Sequence, residues 1–227
     1  DHNGSRGLGD VYKRQARITG TGTFTNTPTG TLNVISPVDV QIRNSTFNQA
    51  GTVTVNTPTG GLVIGAGGVD VAPYQITSGT LTLESATRSY GDGVDFTGAG
   101  DLVIASGTHN FLAAGGHNIA VDEFRFVGGT IQGTSDITVS APSFVFEGVP
   151  DLGGSGTFTT TSAVTTILAN TGASPQLHGN VTWVNEGLVS FRGINVFSDF
   201  GLIGSSTLRN EGTFEFNGID PGAQVQG

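Results

Sequence analysis

Few side chains in this chain could take part in catalysis, and they are widely spaced. Asp122 and Glu123 are the only adjacent carboxylates. Hydrolysis of a glycosidic bond needs two carboxylates that converge on that bond. Neighbouring residues of a β-strand point to opposite faces, so we predict that these two do not converge. The sequence therefore assigns no catalytic residue.

The basic residues give no clearer sign of an enzyme. A polysaccharide lyase needs an arginine or lysine base beside an acidic, calcium-binding cluster. Here the single lysine is Lys13, near the N-terminus, and each later arginine is isolated in sequence: Arg17, Arg43, Arg88, Arg125, Arg192 and Arg209. Residues remote in sequence can still meet on one face of a fold. A carbohydrate-active enzyme therefore stays as the alternative to a non-enzymatic protein.

No metal site is predicted from the histidines. His109, His117 and His178 each lie beside glycine or asparagine in predicted turns, and cysteine is absent. Without cysteine neither a disulfide framework nor a zinc–thiolate site can form. We expect these three to be ordinary surface histidines.

One acidic segment is similar to a calcium-binding repeat. In "GDGVDFTGAGD" the residues Asp92, Asp95 and Asp101 could supply oxygen ligands. The glycine–aspartate nonapeptide binds calcium between stacked copies, however, and this chain has one imperfect copy. We predict glycine-rich corners with solvated aspartates, and assign no metal or cofactor.

Two kinds of binding surface can be weighed from composition. A sugar-binding module needs exposed aromatic rings, but Trp183 lies in the alternating stretch "NVTWVN", which predicts a core position; Tyr74 and Tyr90 are the other candidates. Threonine rows such as "GTFTTT" are typical of ice-binding surfaces, which require a regular, flat ladder. The irregular spacing of the threonine segments argues against such a ladder.

Charge excludes two classes of partner. The chain carries a formal net charge of −9. An acidic chain is repelled by nucleic-acid phosphates and by anionic lipid surfaces. No apolar run is long enough to cross a bilayer, so we expect neither nucleic-acid binding nor membrane insertion.

The N-terminus has a different character from the rest. Ser5–Gln15, "SRGLGDVYKRQ", resembles the translation of a transposase-type sequencing adapter. We therefore expect Asp1–Gln15 to be artefactual and outside the fold. The chain has no methionine, and we expect residues 16–227 to be an internal fragment of a larger protein.

The elements that would position any site are predicted to be β-strands. A unit of glycine, threonine and then alternating apolar residues recurs, as in "GTVTV", "GTLTL" and "GTFEF". Such alternation indicates a strand with one buried face. Identical segments also recur: "NTPTG" thirty residues apart and "NEG" twenty-five apart. Self-similarity of this kind indicates a solenoid in which the longer steps are whole coils. A β-sandwich is a further alternative.

Stacked side chains would then fill and border the solenoid. We predict that Asn48, Asn185 and Asn210 form asparagine ladders near corners. The paired phenylalanines should face inward and stack along the axis: Phe124 and Phe126, Phe144 and Phe146, Phe214 and Phe216. The stretch 105–126 fits the pattern worst, and we expect a loop excursion there.

The cadence of "FNQAGTVTV" and "LRNEGTFEF" resembles repetitive bacterial surface proteins, namely haemagglutinin-like exoproteins and autotransporter passenger domains. The resemblance implies an all-β, single-stranded, right-handed parallel β-helix over residues 16–227, uncapped at both ends. It also implies an extracellular or cell-surface stalk or adhesin segment. Its partners would be a host or matrix component, protein or glycan, and neighbouring coils of the parent chain. No functional residue can be carried over from it.

Overall fold

The computed structural model describes residues 16–84, 86–170, 175–193, 199–216 and 224–226. The predicted artefactual segment Asp1–Gln15 lies outside these ranges. All regular structure within them is β-strand, and every pairing between strands is parallel. The strands are β1 (Ala16–Thr19), β2 (Thr23–Asn26), β3 (Thr31–Val34), β4 (Val40–Gln49), β5 (Thr52–Asp70), β6 (Tyr74–Leu83), β7 (Thr87–Tyr90), β8 (Phe96–Thr97), β9 (Asp101–Ile104), β10 (Thr108–Phe111), β11 (His117–Ala120), β12 (Glu123–Gly133), β13 (Ile137–Val139), β14 (Ser143–Leu152), β15 (Thr157–Thr160), β16 (Thr165–Asn170), β17 (Gln176–Leu177), β18 (Thr182–Asn185), β19 (Leu188–Gly193), β20 (Asp199–Leu202), β21 (Thr207–Asn210), β22 (Thr213–Phe216) and β23 (Gln224–Gln226).

The chain is a parallel β-helix in which each coil crosses three faces. Face A consists of residues 16–19, 40–43, 62–65, 80–83, 101–104, 123–126, 143–146, 165–170, 188–193 and 213–216. Face B consists of residues 23–26, 46–49, 67–70, 87–90, 108–111, 128–133, 149–152, 176–177, 199–202 and 224–226. Face C consists of residues 31–34, 52–55, 74–76, 96–97, 117–120, 137–139, 157–160, 182–185 and 207–210.

Coils differ in length although their strands stay in register. Gly61 pairs with Thr80, nineteen residues later, whereas Thr182 pairs with Thr207, twenty-five residues later. Most of the difference is taken up at the corners between faces. Each column of side chains along the axis therefore continues from coil to coil.

One predicted repeat is a coil and the other is not. Asn185 pairs with Asn210, so the "NEG" spacing is one coil, as predicted. The "NTPTG" prediction is wrong, because Asn26 pairs with Gln49 and Asn56 pairs with Ser78. The first copy lies between faces B and C and the second between faces C and A. Thirty residues therefore span one coil plus one further face.

The predicted loop excursion at 105–126 is also wrong. β10 and β11 lie within this stretch, and each pairs in parallel with strands of both neighbouring coils. The alternation of apolar and polar residues is less regular there because polar residues occupy inward positions. The backbone path does not change.

Aromatic stacking fills the later coils, as predicted. The rings of Phe124 and Phe144 are 4.9 Å apart and nearly parallel, and those of Phe126 and Phe146 are 5.5 Å apart. Trp183 is fully buried, which confirms its core assignment. Phe216 is 56% exposed, so the last pair is not enclosed.

The asparagine ladder is confirmed at one corner. Asn185 Nδ2 donates to Asn210 Oδ1 at 2.7 Å and to the Gly187 carbonyl at 3.1 Å. The prediction is wrong for Asn48, which points outward and accepts a hydrogen bond from the Val69 amide.

Candidate functional site

The aspartates of the calcium-like segment do not converge. Asp92 Oδ1 accepts a hydrogen bond from the Ala114 amide at 3.0 Å, and Asp95 Oδ1 accepts one from the Asn118 amide at 2.7 Å. Each carboxylate thus ties its corner to the next coil, while Asp101 lies on face A. Within the described ranges, no three histidine or acidic side chains gather closely enough to hold a metal ion.

The prediction of surface histidines is wrong for two of the three. His109 and His117 occupy inward positions of β10 and β11 and are buried, whereas His178 is exposed. His109 Nε2 lies 3.0 Å from the Ser106 carbonyl, and His117 Nδ1 lies 2.7 Å from that of Val94. Turn-like neighbours in the sequence misled the prediction, because glycine and asparagine also flank short strands here.

The two tyrosines cannot serve as exposed sugar platforms. Tyr74 and Tyr90 are both fully buried. Tyr74 stacks on Phe96 at 5.2 Å, and the Tyr90 hydroxyl lies 2.8 Å from His109 Nδ1. Because His109 Nε2 faces a carbonyl, it carries the proton, and Nδ1 accepts the tyrosine O–H.

An ion pair lies at the centre of this interior. Arg88 and Asp70 are 1% and 0% exposed. Arg88 Nε donates to Asp70 Oδ2 at 3.2 Å, and Nη2 contacts the second carboxylate oxygen. Nη1 donates to the Ala66 carbonyl at 2.8 Å, and Nη2 also donates to the Phe47 carbonyl at 3.3 Å. The guanidinium thus satisfies one carboxylate and two backbone carbonyls.

Gly68 approaches the same Phe47 carbonyl closely. Gly68 pairs with Arg88 in the register, with φ of +153°, and a Cβ there would lie 1.9 Å from the Phe47 carbonyl oxygen. No other residue type fits so close to that carbonyl. The guanidinium carbon of Arg88 lies 5.3 Å from the centre of the Phe47 ring. That distance is within the range of a cation–π contact.

Burial controls the protonation of these groups. Burial raises the pKa of the Asp70 carboxyl, while Arg88 and the Tyr74 hydroxyl act in the opposite direction. Burial and, to a smaller extent, Arg88 lower the pKa of His109 to about 4, against the opposing effect of the Ser106 carbonyl. His109 is therefore neutral at pH 7.

This interior cluster is built for structure. Arg88, Asp70 and His109 are closed off from solvent, and their polar atoms are used by neighbours within the coil stack. Sequence reasoning missed the Asp70–Arg88 pair. The available signal was the alternation in "TRSY", which places Arg88 and Tyr90 on the same side of one strand.

A second group of charges lies on the surface of face A. Asp122 is exposed just before β12, Glu123 is the first residue of that strand, and both act electrostatically on Asp101 of the preceding coil. Burial raises the pKa of Asp101, and Glu123 and Asp122 raise it further. Arg125 forms ion pairs with Glu147 and, at 3.8 Å, with Glu123. We name Asp101, Asp122, Glu123 and Arg125 the face A charge cluster.

Within the described ranges, no helix has the length and apolar character needed to span a membrane. Comparisons with models of protein families, with curated proteins and with solved structures found no match.

Proposed function

We propose that this chain is a non-enzymatic structural or adhesive segment of a large exported bacterial surface protein. The continuous coil stack carries this proposal. Face A alone is crossed repeatedly between Ala16 and Phe216 by strands in register. Backbone hydrogen bonds join every pair of successive coils along the axis. A stack of this kind gives a stiff stalk that holds outer side chains in fixed columns.

The interior supports the same proposal. Stacked rings such as Phe124 and Phe144 fill the later coils, and the Asp70–Arg88 pair cross-links earlier ones. Both arrangements resist bending because they join side chains of successive coils. The location would be extracellular or on the cell surface, and the partner a protein or glycan of a host or matrix.

The face A charge cluster favours one alternative, a carbohydrate-active enzyme. Asp101, with its raised pKa, lies beside Asp122 and Glu123. A carboxyl whose pKa is raised by burial and by neighbouring carboxylates is one arrangement that general acid–base chemistry uses.

One experiment separates the two. The full chain is incubated with a panel of neutral and uronic-acid-containing polysaccharides, and both binding and the release of new chain ends are measured. Our proposal expects retention of at least one of these polymers, with product formation no greater than for the heat-denatured chain. Turnover that is abolished by Asp101→Asn but not by Asp92→Asn would overturn it in favour of the enzyme.

A further inference from the structure

The outer side of face B carries a column of threonines. Thr23 pairs with Thr46, whose next partner is Gly67. The column then continues through Thr87, Thr108 and Thr130, which pair in that order. Thr23, Thr46 and Thr87 are exposed, and the last two are half-buried.

A second outer column runs beside the first and is also uncharged. Its members, two residues further along each strand, are Thr25, Asn48, Val69, Ser89, Asn110 and Gln132. Over these six coils, face B shows solvent no charged side chain. Asp70 and Arg88 belong to the same strands but point inward and are buried. This part of face B thus stays neutral on a chain of net charge −9, up to Asp151, which is the next partner of Thr130.

Face A differs although the same coils build it. Its outer positions hold Arg43 and Glu84, which form an ion pair across Gly65, and the face A charge cluster. Charged side chains on face A are thus separated from the two uncharged columns of face B. A neutral face next to a charged one favours a neutral occupant.

The threonine column has the chemistry of a rigid lattice. Neighbouring strands lie about 4.8 Å apart, which sets the spacing between successive threonines. Each threonine presents a hydroxyl, which both donates and accepts, and a methyl group. Its β-branched side chain has few rotamers, so both groups keep their direction. Hydroxyls can bond ordered water while methyls restrict the orientation of the water around them.

We propose that face B binds ice, with the two columns as the contact surface. Irregular spacing in the sequence argued against a ladder, but the corners take up the differences in coil length and the columns stay aligned. Repetition along the axis suits an occupant that repeats in the same direction, as a crystal lattice does. The inference rests on face B alone and is independent of the stalk or adhesin function.

The test compares the full chain with two lysine variants. Thr108→Lys places a strongly hydrated charge in the middle of the column. Thr82→Lys is the matched control, since Thr82 is a half-buried outer threonine on face A. Partition into slowly grown polycrystalline ice and inhibition of ice recrystallisation are measured for each, with serum albumin as the baseline. Circular dichroism verifies that both variants fold.

We expect the chain and the Thr82→Lys variant to enter ice and slow recrystallisation, and Thr108→Lys to fall to the albumin baseline. The proposal is overturned if the unmodified chain stays at that baseline. Equal losses in both folded variants would also overturn it. Retention on crystalline cellulose or chitin without entry into ice would overturn it too, and would assign face B to a neutral glycan.

Discussion

Two parts of the interior solve the same packing problem with different chemistry. Between Phe47 and His109 the core contains the Asp70–Arg88 ion pair and a buried histidine. From Phe124 to Phe200 it is a stack of aromatic rings around Trp183. The backbone pairing is parallel in both. The same parallel pairing therefore accommodates a buried ion pair among apolar residues, with partners for both the guanidinium and the carboxylate.

The two parts should differ in how they respond to change. An ion pair out of water is stable only while both partners are present, because a lone buried charge is strongly penalised. Stacked rings contribute mainly through buried apolar area, which a smaller apolar side chain only partly removes. A single substitution should therefore lower the free energy of unfolding more in the polar part than in the aromatic part.

The largest expected effect is that of Arg88→Met. It leaves the Asp70 carboxylate buried without its partner, and the Ala66 and Phe47 carbonyls without a donor. We expect a loss of about 3–5 kcal/mol in the free energy of unfolding, measured by urea denaturation followed by circular dichroism. The double variant Arg88→Met/Asp70→Leu should recover most of that loss. A double variant as unstable as the single one would break the comparison.

Next in size is the pH dependence from His109. Its pKa is about 4 in the folded chain, against an ordinary 6.5. The unfolded chain therefore binds the proton more readily, and stability falls as the pH drops from about 6.5 to about 4. The total loss should be about 3 kcal/mol. Arg88 and Tyr90, which lie next to the ring, also oppose its protonation or hold its neutral form.

Urea denaturation across this pH range checks the prediction. The His109→Gln variant should lose most of the pH dependence because it removes the titrating group. His178→Gln is the matched control, since His178 is exposed, and it should leave the profile unchanged. If both variants keep the pH dependence of stability seen in the unmodified chain, the titrating group is not His109.

A smaller effect is expected in the aromatic part. Phe144→Leu removes the ring that stacks on Phe124 but keeps an apolar side chain at the position. We expect a loss of about 1.5 kcal/mol or less by the same measurement. Phe216→Leu, at an exposed position, serves as the control and should change little. A loss at Phe144 as large as that of Arg88→Met would remove the contrast between the two parts.

The smallest effect should come from a surface ion pair. Arg43 and Glu84 pair across Gly65, with side chains 33% and 21% exposed. Solvent screens this pair, so Arg43→Gln should cost less than about 1 kcal/mol, and less again in 1 M salt. The difference between the losses for Arg43→Gln and Arg88→Met shows how much burial changes the contribution of an arginine–carboxylate pair to the free energy of unfolding.

The fold class and part of the core could be predicted from the sequence. Alternation after glycine placed Trp183 inside, and the "NEG" spacing gave the coil length at Asn185 and Asn210, because both signals are local or exactly periodic. His109 and Arg88 could not be placed inside. Their environment depends on which residues lie opposite in coils about twenty residues away, such as Gly68. The charge cluster at Asp101 depends on the same cross-coil register.

The parallel pairing also determines how the chain would respond to a pulling force. Hydrogen bonds between coils lie along the axis, so tension applied along that axis loads successive coils in series. A terminal coil can then peel away while the others hold. Coils of nineteen to twenty-five residues would each release roughly 65 to 90 Å of extended chain. Under tension the molecule would therefore lengthen in steps. Each step would absorb part of the mechanical work done on the chain.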